Sequence, residues 1–236
     1  MQPLVTISTI TANRRRFFEH TIRNVRTQLG QGFEIEWIIV EDGDESVEDL
    51  VSHLDFVRYT RLPGKSSVAL KRNVANDMAR GNYVLYFDDD NYAFPHRTIV
   101  SINELARSNL AMAGSSDMLI LDRRDWEIFQ VGPYSDMHAT LGTWCVRREI
   151  FDRTRFRDED LSGEEVAFTG NWSIPILQLG GLNTSISFSH GQNTVPKGEL
   201  KEAWTPIWSP ETFIRCAETL EFYRTVPGRA AVAEQG

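Results

Sequence analysis

The chain has 236 residues, with 25 Lys and Arg against 33 Asp and Glu, a formal net charge of −8. That balance argues against nonspecific binding to nucleic acid, which needs an excess of positive charge. No apolar run reaches the roughly 18 residues of a membrane span, and Cys145 and Cys216 lie outside any metal-ligand spacing. With 41% hydrophobic residues the chain can bury a sizeable core. No signal peptide is read ahead of the first strand, so the expectation is a cytoplasmic protein with buried thiols. Peripheral attachment to a membrane and self-association are both compatible with it.

Residues 4–9 alternate apolar and polar side chains and predict a first strand. Thr11 and Asn13 are capping residue types, and Phe18, Ile22, Val25 and Leu29 then recur at helical spacing, predicting a helix over about 14–29 that Gly30 and Gly32 end. A strand over 34–40 carries Glu41 and Asp42 at its end. A short acidic helix over about 45–53, a strand near 56–59 and a helix bearing Leu70, Val74 and Met78 follow, closed by Gly81. Tyr83 to Phe87 are then apolar or aromatic without interruption, the mark of a strand covered on both faces. This β-α-β-α-β order predicts a doubly wound, mostly parallel sheet.

The second half reads as mixed or antiparallel. Pro95 opens a helix with Ile99, Ile102 and Leu105. Residues 118–121 and 126–131, separated by Asp122-Arg-Arg-Asp125, predict antiparallel strands, and 139–146 another. A short helix begins at 148–153, a helical segment at 164–168 runs on to Pro175 and stops at Gly180-Gly181, and 182–189 is the last strand. Residues 190–208 read as a long loop or lid. Ser209-Pro210-Glu211 carries the signals of a helix start, and the last ten residues, 227–236, read as disordered. One domain over 1–226 is expected, with lobes at 1–94 and 95–226.

Three carboxylates, Asp88, Asp89 and Asp90, arrive together at the end of the central strand. Adjacent negative charges repel and are costly to bury without a cation. In open α/β sheets, ligands bind beyond the carboxyl ends of the strands. A divalent metal at the mouth of a nucleotide crevice follows, Mn2+ or Mg2+, which take one or two carboxylates and leave places for phosphate oxygens. Glu41 and Asp42 suit base or ribose donors, and Arg14, Lys65 and Arg72 suit phosphate or base. No Gly-x-Gly-x-x-Gly and no P-loop signature is present.

The order Thr9-Ile-Thr-Ala-Asn-Arg14, Ile38-Ile-Val-Glu-Asp-Gly43, Lys71-Arg-Asn73 and Phe87-Asp-Asp-Asp-Asn91 resembles nucleotide-sugar glycosyltransferases of the GT-A fold. Its layout is similar to the large inverting family that includes cellulose- and hyaluronan-synthase catalytic domains. Val40-Glu-Asp42 and Tyr86-Phe-Asp-Asp-Asp-Asn91 also resemble inverting glucuronyltransferases. The resemblance spans roughly residues 4–190. It implies a UDP-sugar or related donor, a carbohydrate or other hydroxyl acceptor, and metal-assisted single displacement. Thr9 and Thr11 would then line the nucleoside pocket, with Glu41 or Asp42 on base or ribose and Arg72 on base or phosphate. Asp88 and Asp90 would form the aspartate-any-aspartate motif, with Asp90 the direct metal ligand in the glucuronyltransferase-like version. Glu41 stands where aspartate is usual.

Gly163-Glu-Glu-Val-Ala-Phe168 resembles the segment that supplies the catalytic base, placing it at Glu165, with Glu164 the alternative. His190 resembles a metal- or diphosphate-contacting histidine, and Gly142-Thr-Trp144 resembles the acceptor-side strand, with Trp144 a stacking candidate. Two other readings compete. A nucleotidyltransferase would need a glycine-rich loop that Thr11-Ala-Asn-Arg14 lacks, and a non-catalytic sugar-nucleotide binder would retain the same site.

Overall fold

The computed structural model describes residues 2–190, 193 and 205–226. In its first half, β1 (Leu4–Thr11), α1 (Arg15–Arg26), β2 (Glu34–Glu41), α2 (Glu48–Val51), β3 (Val57–Arg61), α3 (Val68–Met78) and β4 (Tyr83–Tyr86) follow the predicted alternation. β1 pairs in parallel with β2 and β4, and β2 with β3. The registers Thr11 to Glu41 and Ser8 to Tyr86 bring the carboxyl ends of β1, β2 and β4 to one edge. Helices cover both faces, so even the polar side chains of β1 are buried. Thr6 Oγ1 there donates to Glu36 Oε1 at 2.6 Å.

The remainder comprises β5 (Tyr92–Ala93), α4 (Arg97–Arg107), β6 (Met112–Gly114), β7 (Met118–Asp122), β8 (Glu127–Val131), β9 (Cys145–Arg147), α5 (Glu164–Phe168), β10 (Ile176–Gln178), β11 (Ser185–Ser189), β12 (Thr205–Trp208) and α6 (Ala217–Thr225). The main sheet has the order β10-β6-β9-β4-β1-β2-β3, with β4 in the middle. β9 runs antiparallel to both β4 and β6. A second sheet, β12-β8-β7-β11-β5, contains the predicted β7–β8 hairpin, and β11 joins β7 in parallel. The result is a single α/β domain with mixed sheets. Among the described residues, no helix is long and apolar enough to cross a membrane.

Several boundaries move for local reasons. Neither Thr11 nor Asn13 caps α1, which starts after Arg14 with no side-chain cap. Asn13 instead adopts φ 54°, a conformation asparagine tolerates, and its Oδ1 accepts from the N–H groups of Asp44 and Glu45. The strand expected at 139–146 is broken by a 3-10 turn at Leu141–Thr143. There Thr143 Oγ1 donates to Thr140 O at 2.6 Å and accepts from Ser115 N at 2.8 Å. The helix at 164–168 does not run on to Pro175: Gly170, Asn171 and Trp172 all turn left-handed, and β10 follows. Pro210 opens only a 3-10 turn, Pro210–Thr212, and the helix starts at Ala217. Most of the loop expected at 190–208, and the whole 227–236 tail, lie outside the described residues; Thr205–Trp208 forms β12, paired with β8.

Candidate active site

The strand ends border a cavity of about 510 Å3. Thr11 and Arg14 line it from β1 and the start of α1, Arg72 from α3, Asp88, Asp89 and Asp90 from the turn after β4, and Glu164 and Glu165 from α5. A second cleft of about 950 Å3 adjoins it, lined among others by Asp42, Lys65 and Lys71. The two share Ala12, Val68, Lys71 and Leu161, so they form one continuous trough across the sheet edge. In open α/β sheets such clefts form beyond the carboxyl ends of the parallel strands, which explains the location.

Each acid in the cavity has a distinct environment. Asp88 Oδ2 accepts from Asn91 Nδ2 at 2.8 Å, and its Oδ1 lies 3.8 Å from Arg72 Nη2. Asp89 accepts from Thr11 Oγ1 at 2.6 Å; burial, and then the neighbouring Asp90 charge, push its carboxyl up to about 7. Asp90 Oδ2 stands 3.0 Å from His190 Nε2 and 4.0 Å from Arg14 Nη1. Across the cavity, Arg72 Nε donates to Glu164 Oε1 at 2.9 Å, an ion pair buried on both sides. Among the described residues Glu165 makes no ion pair: burial, and then the charges of Glu164 and Asp88, raise its carboxyl above the usual range against the opposing pull of Arg72. Arg72 therefore bridges the aspartate cluster and the glutamate pair.

Four predicted residues, Thr9, Glu41, Trp144 and His190, do not line either cleft. Thr9 sits one pleat inside the strand end, where its Oγ1 accepts from Trp37 Nε1 at 3.0 Å. Glu41 is buried and points away from the cavity, its Oε2 accepting from Tyr59 OH at 2.5 Å and Val47 N at 3.0 Å. Asp42, the next residue, points the opposite way, as strand alternation requires, and lines the second cleft. Trp144 is fully buried, its Nε1 donating to Ala139 O at 2.8 Å and its ring packed among Tyr86, Phe156 and Phe168. It is a core residue and cannot stack on an acceptor. His190 is buried between Phe17 and Phe188, with its Nε2 turned onto Asp90.

Other functional contacts come from residues to which the sequence reading assigns no role. Lys71 Nζ donates to Asp42 Oδ1 at 2.7 Å and to Thr11 O at 3.2 Å, tying the ends of β1 and β2 together. It stands beside Arg72 in the Lys71-Arg-Asn73 segment, so its signal was present. Arg97, fully buried, donates through Nη2 to Tyr86 O at 2.7 Å and Gly142 O at 2.9 Å, and burial lowers it to about 10. Gly142 lies so close to Asp88 that a Cβ there would stand 2.3 Å from Asp88 Oδ2. Arg97 carries no local sequence signal, because it acts through distant parts of the chain.

Residues 6–154, well over half of the chain, match the family described as Glycosyl transferase family 2. The chain belongs to glycosyl transferase family 2. Solved structures agree in fold. S. aureus TarS 1–349 is 16% identical with a TM-score of 0.58, covering 80% of this chain and 61% of that one. The same TarS fragment in complex with UDP-GlcNAc is 17% identical with a TM-score of 0.59, over 94% of this chain and 65% of that one. The mannosyltransferase PcManGT from Pyrobaculum calidifontis, in complex with GDP-Man and Mn2+, is 16% identical with a TM-score of 0.62, over 84% and 59%. At these identities the likeness is one of fold, and the chain spans about three fifths of the length of the first of these structures. No curated protein matches the chain in sequence.

The family 2 fold raises the question of a metal. Among the described residues, no group of three or more His, Cys, Asp or Glu is gathered to hold one unaided. Mn2+ and Mg2+ need only one or two protein carboxylates when phosphate oxygens and water supply the rest. Asp90 lines the cavity, with the buried His190 Nε2 3.0 Å behind its Oδ2, and burial first, then the Asp90 charge, raises the Asp89 carboxyl; a cation would offset that charge. This donor set fits a divalent ion completed by a diphosphate.

Proposed function

We propose that this family 2 protein transfers a sugar from a nucleoside-diphosphate sugar, a UDP-sugar as the first candidate, to a hydroxyl acceptor with inversion at the anomeric carbon. The observation that carries this reading is the pair of acidic clusters facing one cavity, one suited to a cation and one holding a carboxylate with raised proton affinity. The layout shared with the inverting family that includes cellulose and hyaluronan synthases supports single displacement. The nucleoside occupies the Asp42–Lys65 cleft, and the diphosphate lies toward Arg14 and Lys71. Asp90, with Asp88 and His190 beside it, would hold a divalent cation, which when bound supplies positive charge to the departing diphosphate.

Glu165 accepts the proton of the acceptor hydroxyl as that oxygen attacks the anomeric carbon. The bond from that carbon to the diphosphate oxygen breaks, and the electron pair leaves on the diphosphate. Glu164 is poorly suited to the proton transfer because its Oε1 is already taken by Arg72 Nε at 2.9 Å. Arg72 in turn holds both acidic clusters at a fixed separation.

A thermal-shift screen of UDP-, GDP-, CDP- and dTDP-sugars with and without Mn2+ tests the reading, together with assay of the released nucleoside diphosphate and NMR of the product anomer. Metal-dependent stabilisation by one donor, release of its diphosphate and an inverted product are expected. Pyrophosphate formation from a nucleoside triphosphate and a sugar phosphate, or a retained anomeric configuration, would overturn it.

A further inference from the structure

With Trp144 in the core, the acceptor wall of the cavity has to be found elsewhere. Tyr134 and His138 line the cavity, and Tyr134 is 50% exposed. Their rings meet edge to face at 4.9 Å between centroids, and the far side of His138 rests on Trp172 at 4.7 Å. We infer that Tyr134 and His138, backed by Trp172, form an acceptor subsite that takes a neutral pyranose ring. The inference rests on the transferase reading above and names the acceptor class for it.

The platform is built rather than incidental. Tyr134 N donates to Ser116 Oγ at 2.8 Å, and Ser135 N to the same oxygen at 2.9 Å. Gly132, at φ 98°, lets the chain press onto Ser116, since a Cβ there would stand 2.4 Å from Ser116 O. At the other end of the loop, Gln178 Nε2 donates to Asp136 O at 3.0 Å and His138 O at 2.9 Å. Trp172 adopts φ 62°, a conformation that costs a bulky residue about 1–3 kcal/mol and needs its surroundings to hold it. Thr169 provides that hold: its Oγ1 accepts from Trp172 N at 3.0 Å and donates to Glu165 O at 2.7 Å. One threonine thus fixes the back of the platform and the backbone of the candidate base, so a ring lying on Tyr134 is set at a constant offset from Glu165.

The chemistry of the wall selects the ligand. Exposed aromatic faces bind the C–H face of a pyranose, while its hydroxyls seek polar groups at the edge. Met118, Tyr134, His138, Thr140 and Leu141 line the cavity with no carboxylate, lysine or arginine among them, and burial lowers the proton affinity of the His138 imidazole. Arg72 is already engaged by Glu164. A phosphorylated or otherwise anionic acceptor would be repelled by the carboxylates of the glutamate pair, so the subsite disfavours it.

The test titrates the full chain, loaded with UDP and Mg2+ and also without them, with methyl glucoside, galactoside, mannoside and N-acetylglucosaminide. Tryptophan fluorescence is the readout, with Trp172 against the platform as reporter. A saturable response to at least one pyranoside is expected. Tyr134→Ala should weaken it about tenfold, whereas Tyr134→Phe, which keeps the ring, should hold it within about twofold. Neither change should move UDP affinity, and melting temperatures check that both variants fold. No saturable response, equal affinity in wild type and Tyr134→Ala, or tighter binding of glycerol phosphate or a sugar phosphate than of any methyl pyranoside would overturn the inference. If wild type fails to bind UDP, the transferase reading falls instead, and the nucleotide-free titration still reads the platform.

Discussion

Two acidic clusters share one cavity and handle their charge in opposite ways. The aspartates Asp88–Asp90 follow the central strand and are gripped by their backbone: Thr21 Oγ1 donates to Asp89 O at 2.7 Å, and Asn24 Nδ2 to Asn91 O at 2.6 Å. The glutamates ride on α5, a helix of five residues held mainly through Thr169 and Arg72. The first cluster is held by its backbone with Arg14 and Arg72 at its edges; the second separates a paired carboxylate from one with raised proton affinity. The contrast teaches that adjacency of acids in sequence says little about role. What differs is which cation reaches each oxygen and how firmly the chain beneath it is held.

The sharpest way to break the comparison is to neutralise one acid from each cluster. Glu165→Gln should lower transfer by about 10²–10⁴-fold, the usual range for losing a general base, with affinity for UDP and Mn2+ unchanged. Asp90→Asn should instead abolish the effect of Mn2+ on UDP affinity, read by calorimetry. If Glu164→Gln, and not Glu165→Gln, removes transfer, the base has been assigned to the wrong member of the pair. Next in size, Arg72→Met would leave Glu164 buried without its partner, a change that costs about 3–5 kcal/mol in comparable buried pairs. Urea unfolding should register that loss, and the double variant Arg72→Met with Glu164→Gln should recover much of it. A double variant no more stable than Arg72→Met would show that the bridge contributes little.

The aspartate cluster was legible in the sequence and the glutamate environment only partly. Tyr83–Phe87 are apolar on both faces, which marks a central strand, and the acids at its end needed no tertiary information. The family match likewise covers residues 6–154 and stops short of Glu164. In the second half, β6, β9 and β10 have three residues each, too short for alternation to show, and their pairing partners are distant in sequence. Thr9 and Glu41 lie off the clefts because a strand end fixes which residues are near the edge but not which face its last residue presents. Trp144 differs from the expectation for another reason: a tryptophan beside a glycine reads the same whether it faces a cavity or the core. The pairing of Arg72 with Glu164 spans 92 positions and leaves no local trace.

The grip behind the aspartates offers a third, smaller test. His20 is buried on α1, with its Nε2 3.2 Å from Asn91 O and 2.6 Å from Tyr223 OH on α6. Burial lowers its pKa from 6.5 to about 4, so the folded state binds fewer protons than the unfolded chain between those values. The stability it contributes is present above pH 6.5 and lost as the pH falls toward 4, by about 3 kcal/mol over the window. His20→Gln cannot titrate, and its stability should be flatter between pH 6.5 and 4.5 in urea unfolding. Parallel curves for the two proteins would remove His20 from the account.

The smallest expected effect isolates geometry from charge. Gly142 sits on the turn that replaces the expected strand, and an added Cβ would lie 2.3 Å from Asp88 Oδ2 and 3.5 Å from Asn91 Nδ2. The clash involves a side-chain oxygen that is partly exposed, so the protein can relieve it by turning Asp88 aside without unfolding. Gly142→Ala should therefore weaken binding of UDP with Mn2+ by about tenfold, or 1.4 kcal/mol, while stability changes little. The glutamate pair lies outside the clash, so the transfer rate at saturating donor should fall much less than in Glu165→Gln. A large loss of stability with unchanged UDP affinity would mean that Gly142 serves the Arg97 and Thr143 packing alone, and that the position of Asp88 is not set by this contact.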